Sequence, residues 1–176
     1  MKNLLLLKSN KTKEKEIYDL YAEKMYFLCN RYVNNMMDAE EVLHNGFMKV
    51  FKHLHSFIET HERSFEFWIK RIMVNESLMH LRKKVNFNLV SIDDIKEKDF
   101  EAGIMDDNSS AEQYLKIINE LPIGYKTVFN LFAIEGYDHS EIADLLKIAE
   151  STSRSQLTKA RKMIQQKITK IESKYA

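Results

Sequence analysis

Residues Tyr125 to Ile164 read YKTVFNLFAIEGYDHSEIADLLKIAESTSRSQLTKARKMI, and this stretch decides the fold. Val128, Leu131 and Phe132 place an apolar stripe at helical spacing, and Gly136 ends it as a glycine in left-handed geometry ends helices. Asp138-His139-Ser140-Glu141 has the form of a capping box, the aspartate accepting a backbone N–H while Glu141 reaches back. Ile142, Ala143, Leu145 and Leu146 then form the inner face of a short second helix. Lys147 to Glu150 is long enough for a tight turn, and Ser151 onward opens a third helix with Leu157, Ala160 and Ile164 facing inward.

Two short helices, a turn and a basic following helix give the outline of a helix-turn-helix. The outer face of the third helix carries Thr152, Arg154, Ser155, Thr158, Lys159, Arg161 and Lys162. All can donate hydrogen bonds to phosphates or base edges, and none is acidic. From Lys147 to Lys174 eight basic side chains face two acidic ones, a net +6 in a chain whose total is +1. A lone basic helix could equally be a solvated amphipathic one. The capped helix and correctly sized turn in front of it favour DNA.

Working outward, the chain of 176 residues has room for one domain or two small ones. Four glycines and one proline leave few sheet-type turns, so an all-helical protein is expected. A single Cys29 excludes an internal disulfide or a CxxC metal site and suits a reducing compartment. Leu4 to Leu7 is too short for a signal-peptide core or a membrane span, so the expected location is the cytoplasm.

Residues 1–11 read as a basic tail. From Thr12 to about Asn34, Ile17, Leu20, Tyr21, Met25, Leu28, Cys29 and Tyr32 recur near a helical repeat. Asp38-Ala39-Glu40-Glu41 repeats the capping-box pattern and starts a helix to about His53. Its inner face is Leu43, Phe47, Val50 and Leu54, flanked by Val42 and Phe51; its outer face offers Glu41, His44, Asn45, Met48 and Lys49. Leu54 to Arg63 reads as a loop, and Ser64 as the N-cap of a helix over Phe65 to Lys84. Phe65, Trp68, Ile69, Ile72, Met73, Met79 and Leu81 supply its apolar side; Lys70, Arg71, Asn75, Arg82, Lys83 and Lys84 are polar or basic. Aromatics beside basic residues suit unstacked single-stranded bases, although either ring taken singly reads as core.

Asn86 to Asn108 carries seven acids against two lysines and keeps no helical stripe, and so reads as a flexible acidic linker. Ser109-Ser110-Ala111-Glu112 forms another capping box, and Pro122 stands where a new helix can begin. His53, His55 and His61 lack ligand spacing and a cysteine partner, so no metal is expected. Phosphate-cradling glycines, HExxH and a nucleophile triad are all missing, which predicts no cofactor and no catalysis.

Two ordered sets of residues carry a resemblance. Asp38-Ala39-Glu40-Glu41-Val42, Phe47, Val50-Phe51, Ser64-Phe65, Trp68-Ile69, Arg71-Ile72, Asn75 and Leu81-Arg82 resemble the second conserved region of bacterial sigma factors. Leu121-Pro122, Tyr125, Val128-Phe129, Glu135-Gly136-Tyr137, Glu141-Ile142-Ala143, Leu146 and Thr152 to Leu157 with Ala160-Arg161 resemble the fourth. With only these two regions present, the chain is similar to the extracytoplasmic-function (ECF) class of the sigma-70 family. The resemblance implies an all-α chain with a region 2 domain at residues 12–85, a linker at 86–108 and a helix-turn-helix (winged-helix-like) region 4 domain at 109–176. It implies a non-enzymatic factor that binds core RNA polymerase, directs it to promoters and helps melt them.

Glu41, His44, Asn45 and Met48 would meet the clamp helices of the largest polymerase subunit, and the flap of the second-largest subunit is a further implied contact. Ser64, Phe65, Trp68, Arg71, Asn75 and Arg82 would hold the melted minus-ten strand. Thr152, Arg154, Ser155, Thr158, Lys159 and Lys162 would read the minus-thirty-five element. The implied partners also include promoter DNA and an anti-sigma factor, often membrane-anchored. Where the family usually has Gln-Glu this chain has His44-Asn45, and Ala149 and Ser151 replace the usual serine and glycine. An autonomous helix-turn-helix transcriptional regulator is the alternative, and it gives no role to the Trp68 helix.

Overall fold

The computed structural model describes residues 10–85 and 110–175, and these are helical apart from short connections. The chain divides into two compact units, Met1–Phe87 and Asn88–Ala176. The linker reading, residues 1–9 of the tail read over 1–11 and the capping box that begins at Ser109 lie outside the described residues, while Asn10 and Lys11, read as tail, already belong to the first helix.

The first unit packs three helices against one another: α1 (Asn10–Val33), α2 (Met36–His53) and α3 (Ser64–Val85). The turn between α1 and α2 needs only two residues because Asn34 adopts φ 52, which asparagine tolerates. Asn35 is the cap of α2, its side-chain oxygen accepting from the Asp38 N–H at 3.0 Å. This corrects the expectation that Asp38 opens the helix. Asp38 lies in the first turn, where its carboxylate suits the helix dipole and pairs with Lys84 Nζ of α3.

The core is built from Met25, Leu28, Cys29 and Tyr32 of α1, Val42, Phe47 and Val50 of α2, and Ile69, Met73 and Leu81 of α3. Gly46 lets α2 and α3 approach closely, since a β-carbon there would stand 2.3 Å from the Met73 sulfur. Burial pushes the Cys29 thiol up to about 12, so it serves as a small apolar group and not a reactive one. Two residues assigned to apolar faces are exposed, Leu20 at 64% and Met79 at 39%. The reason for Met79 is that α3 packs on both α1 and α2, so the buried row runs through Ile69, Met73, Val74, Ser77, Leu78 and Leu81. Met79 projects beside that row and Val74 and Leu78 take its place.

The second unit contains α4 (Ser110–Asn119), α5 (Ile123–Phe129), α6 (His139–Leu146) and α7 (Glu150–Tyr175). Pro122 precedes α5 at its cap. The end of α5 widens into a π turn over Asn130–Ile134, closed by the Glu135 N–H donating to the Asn130 carbonyl at 2.9 Å. Gly136 ends it at φ +83. Val128, Leu131, Ile142, Leu157 and Ala160 form the core, and Lys167 of α7 pairs with Glu120 after α4. The turn before α7 is Lys147 to Ala149 and the helix opens at Glu150, one residue earlier than the sequence suggested.

Two lysines in this unit are placed against their chemistry. Lys147 ends α6 in left-handed geometry, φ 59 and ψ 45, which costs an L side chain about 1–2 kcal/mol. Lys147→Gly should therefore raise stability by about 0.5–1 kcal/mol once glycine's unfolded-state entropy is included. Thermal unfolding checks this, and a lowered midpoint would contradict it. Lys126 is buried, and burial lowers its ammonium to about 8 from 10.5. Between those two values the unfolded chain binds more protons than the folded one, so stability rises with pH across that window and the full cost is present below it. Lys126→Met should raise the urea midpoint at pH ~7, with the advantage shrinking as pH rises past about 8. An advantage constant with pH would contradict this origin.

Candidate nucleic-acid interfaces

In the second unit, α6 starts from a complete capping box. The Glu141 N–H donates to Asp138 Oδ1 at 2.8 Å, and the Asp138 N–H donates to Glu141 Oε2 at 2.9 Å. The next residue, His139, hydrogen-bonds through Nδ1 to Ser153 Oγ of α7 at 2.9 Å. Its ring stacks on Phe132 at 4.5 Å between centroids, and the Arg161 guanidinium lies 5.6 Å from the Phe132 ring. Ser153 is fully buried. One polar contact and one ring stack thus join the π turn, α6 and α7, which fixes the direction in which α7 leaves the turn.

That direction leaves Arg154, Ser155, Thr158, Lys159 and Lys162 exposed, with Thr152 half-buried. The Arg154 guanidinium is paired with Glu150 one turn back along the helix. Ser155 Oγ donates to the Thr152 carbonyl and Thr158 Oγ1 to the Arg154 carbonyl, each at 3.0 Å. Both hydroxyls keep outward lone pairs, and rotation about one bond turns their protons to an incoming acceptor. Lys159 Nζ lies 5.9 Å from the Tyr125 ring of α5. Arg161, named on the outer face from sequence, is exposed but leans over Phe132. The result is a cationic, hydroxyl-rich surface on a helix of 26 residues, about 39 Å long.

In the first unit, Glu41, His44, Asn45 and Met48 are all exposed on one side of α2, opposite its buried residues. Met48 is the large apolar group among them, 58% exposed. Glu41 Oε1 stands 3.9 Å from His80 Nδ1, and Asp38 Oδ1 3.5 Å from His80 Nε2, so this face is braced against α3.

The six residues assigned to a melted strand separate into two groups. Arg71, Asn75 and Arg82 are exposed, and their spacing puts them on one row of α3. Ser64, Phe65 and Trp68 belong to the anchoring of the preceding loop. Ser64 does not cap α3 as expected: its buried hydroxyl donates to the His61 carbonyl at 2.7 Å and accepts from the Thr60 N–H at 3.3 Å. Phe57 from the loop packs on Phe65 and Trp68, with ring centroids 5.0 and 5.1 Å apart, and Phe65 packs in turn on Tyr21 at 5.7 Å. All four rings are half-buried.

Sequence reasoning passed over Phe67, which is 51% exposed beside Arg63 and Lys70. The available signal was an aromatic one position off the apolar stripe with basic neighbours. It also passed over His139 and Ser153, because a buried serine on a basic helix leaves no periodic trace. His53, His55 and His61 are exposed, and among the described residues no group of three His, Cys, Asp or Glu is placed to hold a metal ion. Among those residues, too, no helix is long and apolar enough to cross a membrane.

Two family descriptions match the chain in order: sigma-70 region 2 over residues 17–86 and sigma-70 region 4 over residues 111–164. The chain is 24% identical over 169 residues to the ECF RNA polymerase sigma factor SigW of Bacillus subtilis, covering 87% of each. It is 28% identical over 161 residues to the ECF RNA polymerase sigma-E factor of Haemophilus influenzae, covering 84% of this chain and 83% of that one. Among solved structures, the sigma factor RpoE of Bartonella quintana, crystallised with the anti-sigma factor NepR, shares the fold. The TM-score is 0.55 at 18% identity, over 88% of this chain and 96% of that one. The two matched regions account for both helical units and for the order in which they occur, and the chain belongs to the ECF class of the sigma-70 family.

Proposed function

We propose that this ECF sigma factor, a non-enzymatic transcription initiation factor, divides its work between its two units by residue as follows. In the first unit, residues 12–85, the α2 face of Glu41, His44, Asn45 and Met48 docks on the clamp helices of the largest subunit of core RNA polymerase. The exposed row Arg71, Asn75 and Arg82 of α3 holds the melted minus-ten strand, while Ser64, Phe65 and Trp68 shape the loop beside it. Unstacking a base costs a few kcal/mol, which a fitted, cationic surface offsets.

In the second unit, residues 109–176, α7 enters the major groove of the minus-thirty-five element. Thr152, Arg154, Ser155, Thr158, Lys159 and Lys162 face the DNA, and the unit meets the flap of the second-largest subunit. Arg154 exchanges its intrahelical partner Glu150 for a base edge or phosphate. The factor acts in the cytoplasm, and an anti-sigma factor, membrane-anchored, holds it until a signal arrives. The B. quintana relative was crystallised with an anti-sigma factor, which supports an inhibitor of that class without bearing on its anchoring.

The observation that carries this reading is the pinned geometry of α7: the bond from His139 to the buried Ser153 turns a row of cationic and hydroxyl donors to solvent, with Glu150 at its start paired to Arg154. Run-off transcription with core polymerase on genomic fragments tests it. Core polymerase with this chain should initiate at a defined set of promoters that core alone ignores. Arg154→Ala combined with Lys159→Ala should weaken promoter binding by the holoenzyme about 10- to 100-fold, at about 1–3 kcal/mol for a lost base contact, and leave core polymerase binding intact. Unchanged promoter binding would overturn the assignment of α7.

A further inference from the structure

The α2 face assigned to polymerase docking is bounded at both ends by sulfur. Met37 stands one turn before Glu41 and Met48 one turn after His44, so the two methionines bracket the polar residues on the exposed side of the helix. Met37 is 79% exposed and Met48 58%, and they are the large apolar side chains of this row. About 17 Å of helix separates them.

The other sulfurs of the first unit's described residues are placed differently. Met25 and Met73 are fully buried in the core. Met79 sits on α3 with its sulfur 3.9 Å from Lys49 Nζ. Met36 is exposed but lies one position off the row. Cys29 is buried, and burial pushes its thiol up to about 12, so it offers an oxidant no thiolate. A peroxide that reaches the free chain therefore meets thioethers first, and meets two of them on the docking face.

We propose that Met37 and Met48 are oxidation sites through which a peroxide controls this chain's access to core polymerase. This rests on the α2 docking face proposed above. The sulfur lone pair takes one oxygen of the peroxide, the O–O bond breaks, and the other oxygen leaves with both protons as water. Sulfur is oxidised by two electrons, the peroxide is reduced by two, and the product is methionine sulfoxide. Each sulfoxide puts a strong acceptor where an apolar thioether stood. Docking then strips water from that acceptor, and a contact shaped for a thioether supplies no donor in return. At Met79 the new oxygen has the Lys49 ammonium as a donor, and at Met36 it stays in water, so oxidation at either leaves docking alone.

The test treats the purified full chain with hydrogen peroxide, removes the peroxide with catalase and measures binding to untreated core polymerase. Oxidised wild type should bind about tenfold more weakly than reduced wild type, as expected for an unpaired polar group at an interface. Methionine sulfoxide reductases for both epimers, with a dithiol as reductant, should restore the affinity. Met37→Leu with Met48→Leu, whatever its own affinity, should bind equally before and after peroxide. Met36→Leu with Met79→Leu should lose affinity on oxidation as wild type does. Peptide mass spectrometry should find sulfoxide at Met37 and Met48 of the free chain, protection of both when core polymerase is bound first, and Met25 and Met73 reduced throughout.

Peroxide sensitivity that persists in the Met37, Met48 pair, or disappears in the Met36, Met79 pair, overturns the assignment. So does the absence of sulfoxide at Met37 and Met48, or its presence at Met73, which would make the loss one of fold. Affinity within about twofold of wild type after both sites are oxidised overturns it too, and Asn45→Arg then separates two causes. If that substitution weakens binding of the reduced chain about tenfold, the docking face stands and the oxidation sites alone fall. If it leaves binding unchanged, the α2 reading falls with them.

Discussion

A helix of eight residues has no stability of its own in water, and the second unit depends on what pins α6 in place. The capping box at Asp138 satisfies two backbone donors, each cap worth about 1 kcal/mol. His139 then does what no cap can: it ties α6 laterally, stacking on Phe132 and bonding the buried hydroxyl of Ser153. A buried hydroxyl without a partner costs about 1–3 kcal/mol, so Ser153 and His139 constrain each other's position as well as stabilise it. The direction of α7 follows from this contact, and with it the side chains that reach solvent.

The first unit meets a related constraint with opposite means. Because α3 is covered by two helices, most of its circumference is buried, and one row is left for contact with anything else. Gly46 sets how close α2 comes, and Met73 fills the space that closeness creates. Lys49–Glu76 and Lys84–Asp38 bridge α2 to α3 across the rim, and such partly exposed pairs contribute little to stability. Their effect is on charge: each takes a carboxylate out of play, so the open row of α3 presents cations and an amide.

Much of this was legible in the sequence, for physical reasons that differ by element. The helix-turn-helix reads clearly because Gly136 and the Asp138–Glu141 box mark helix ends by backbone chemistry that acts within a few residues. The start of α2 was misread because Asn35 and Asp38 both fit a cap, and a spacing rule cannot tell them apart. The assignment of Met79 to the core failed because periodicity assumes one covered face, whereas α3 has two. Phe65 and Trp68 read from sequence either as core or as base-stacking rings, and the structure packs both, half-buried, against Phe57 of the loop. Phe67 could not be singled out, since exposure of one ring among neighbours depends on where Phe57 folds back from the loop.

The central claim is that exposed rows left over from packing let this chain open DNA only as part of a larger machine. The measurement that tests it most directly is permanganate reactivity of thymines along a promoter recovered from run-off transcription, with core polymerase, with the chain, and with both. Thymines near the minus-ten element should become reactive only when both are present, and the chain alone should leave the duplex closed and largely unbound. Tight, dimeric binding of closed duplex by the chain alone, with no opening when polymerase is added, would contradict the account and identify an autonomous duplex-binding regulator.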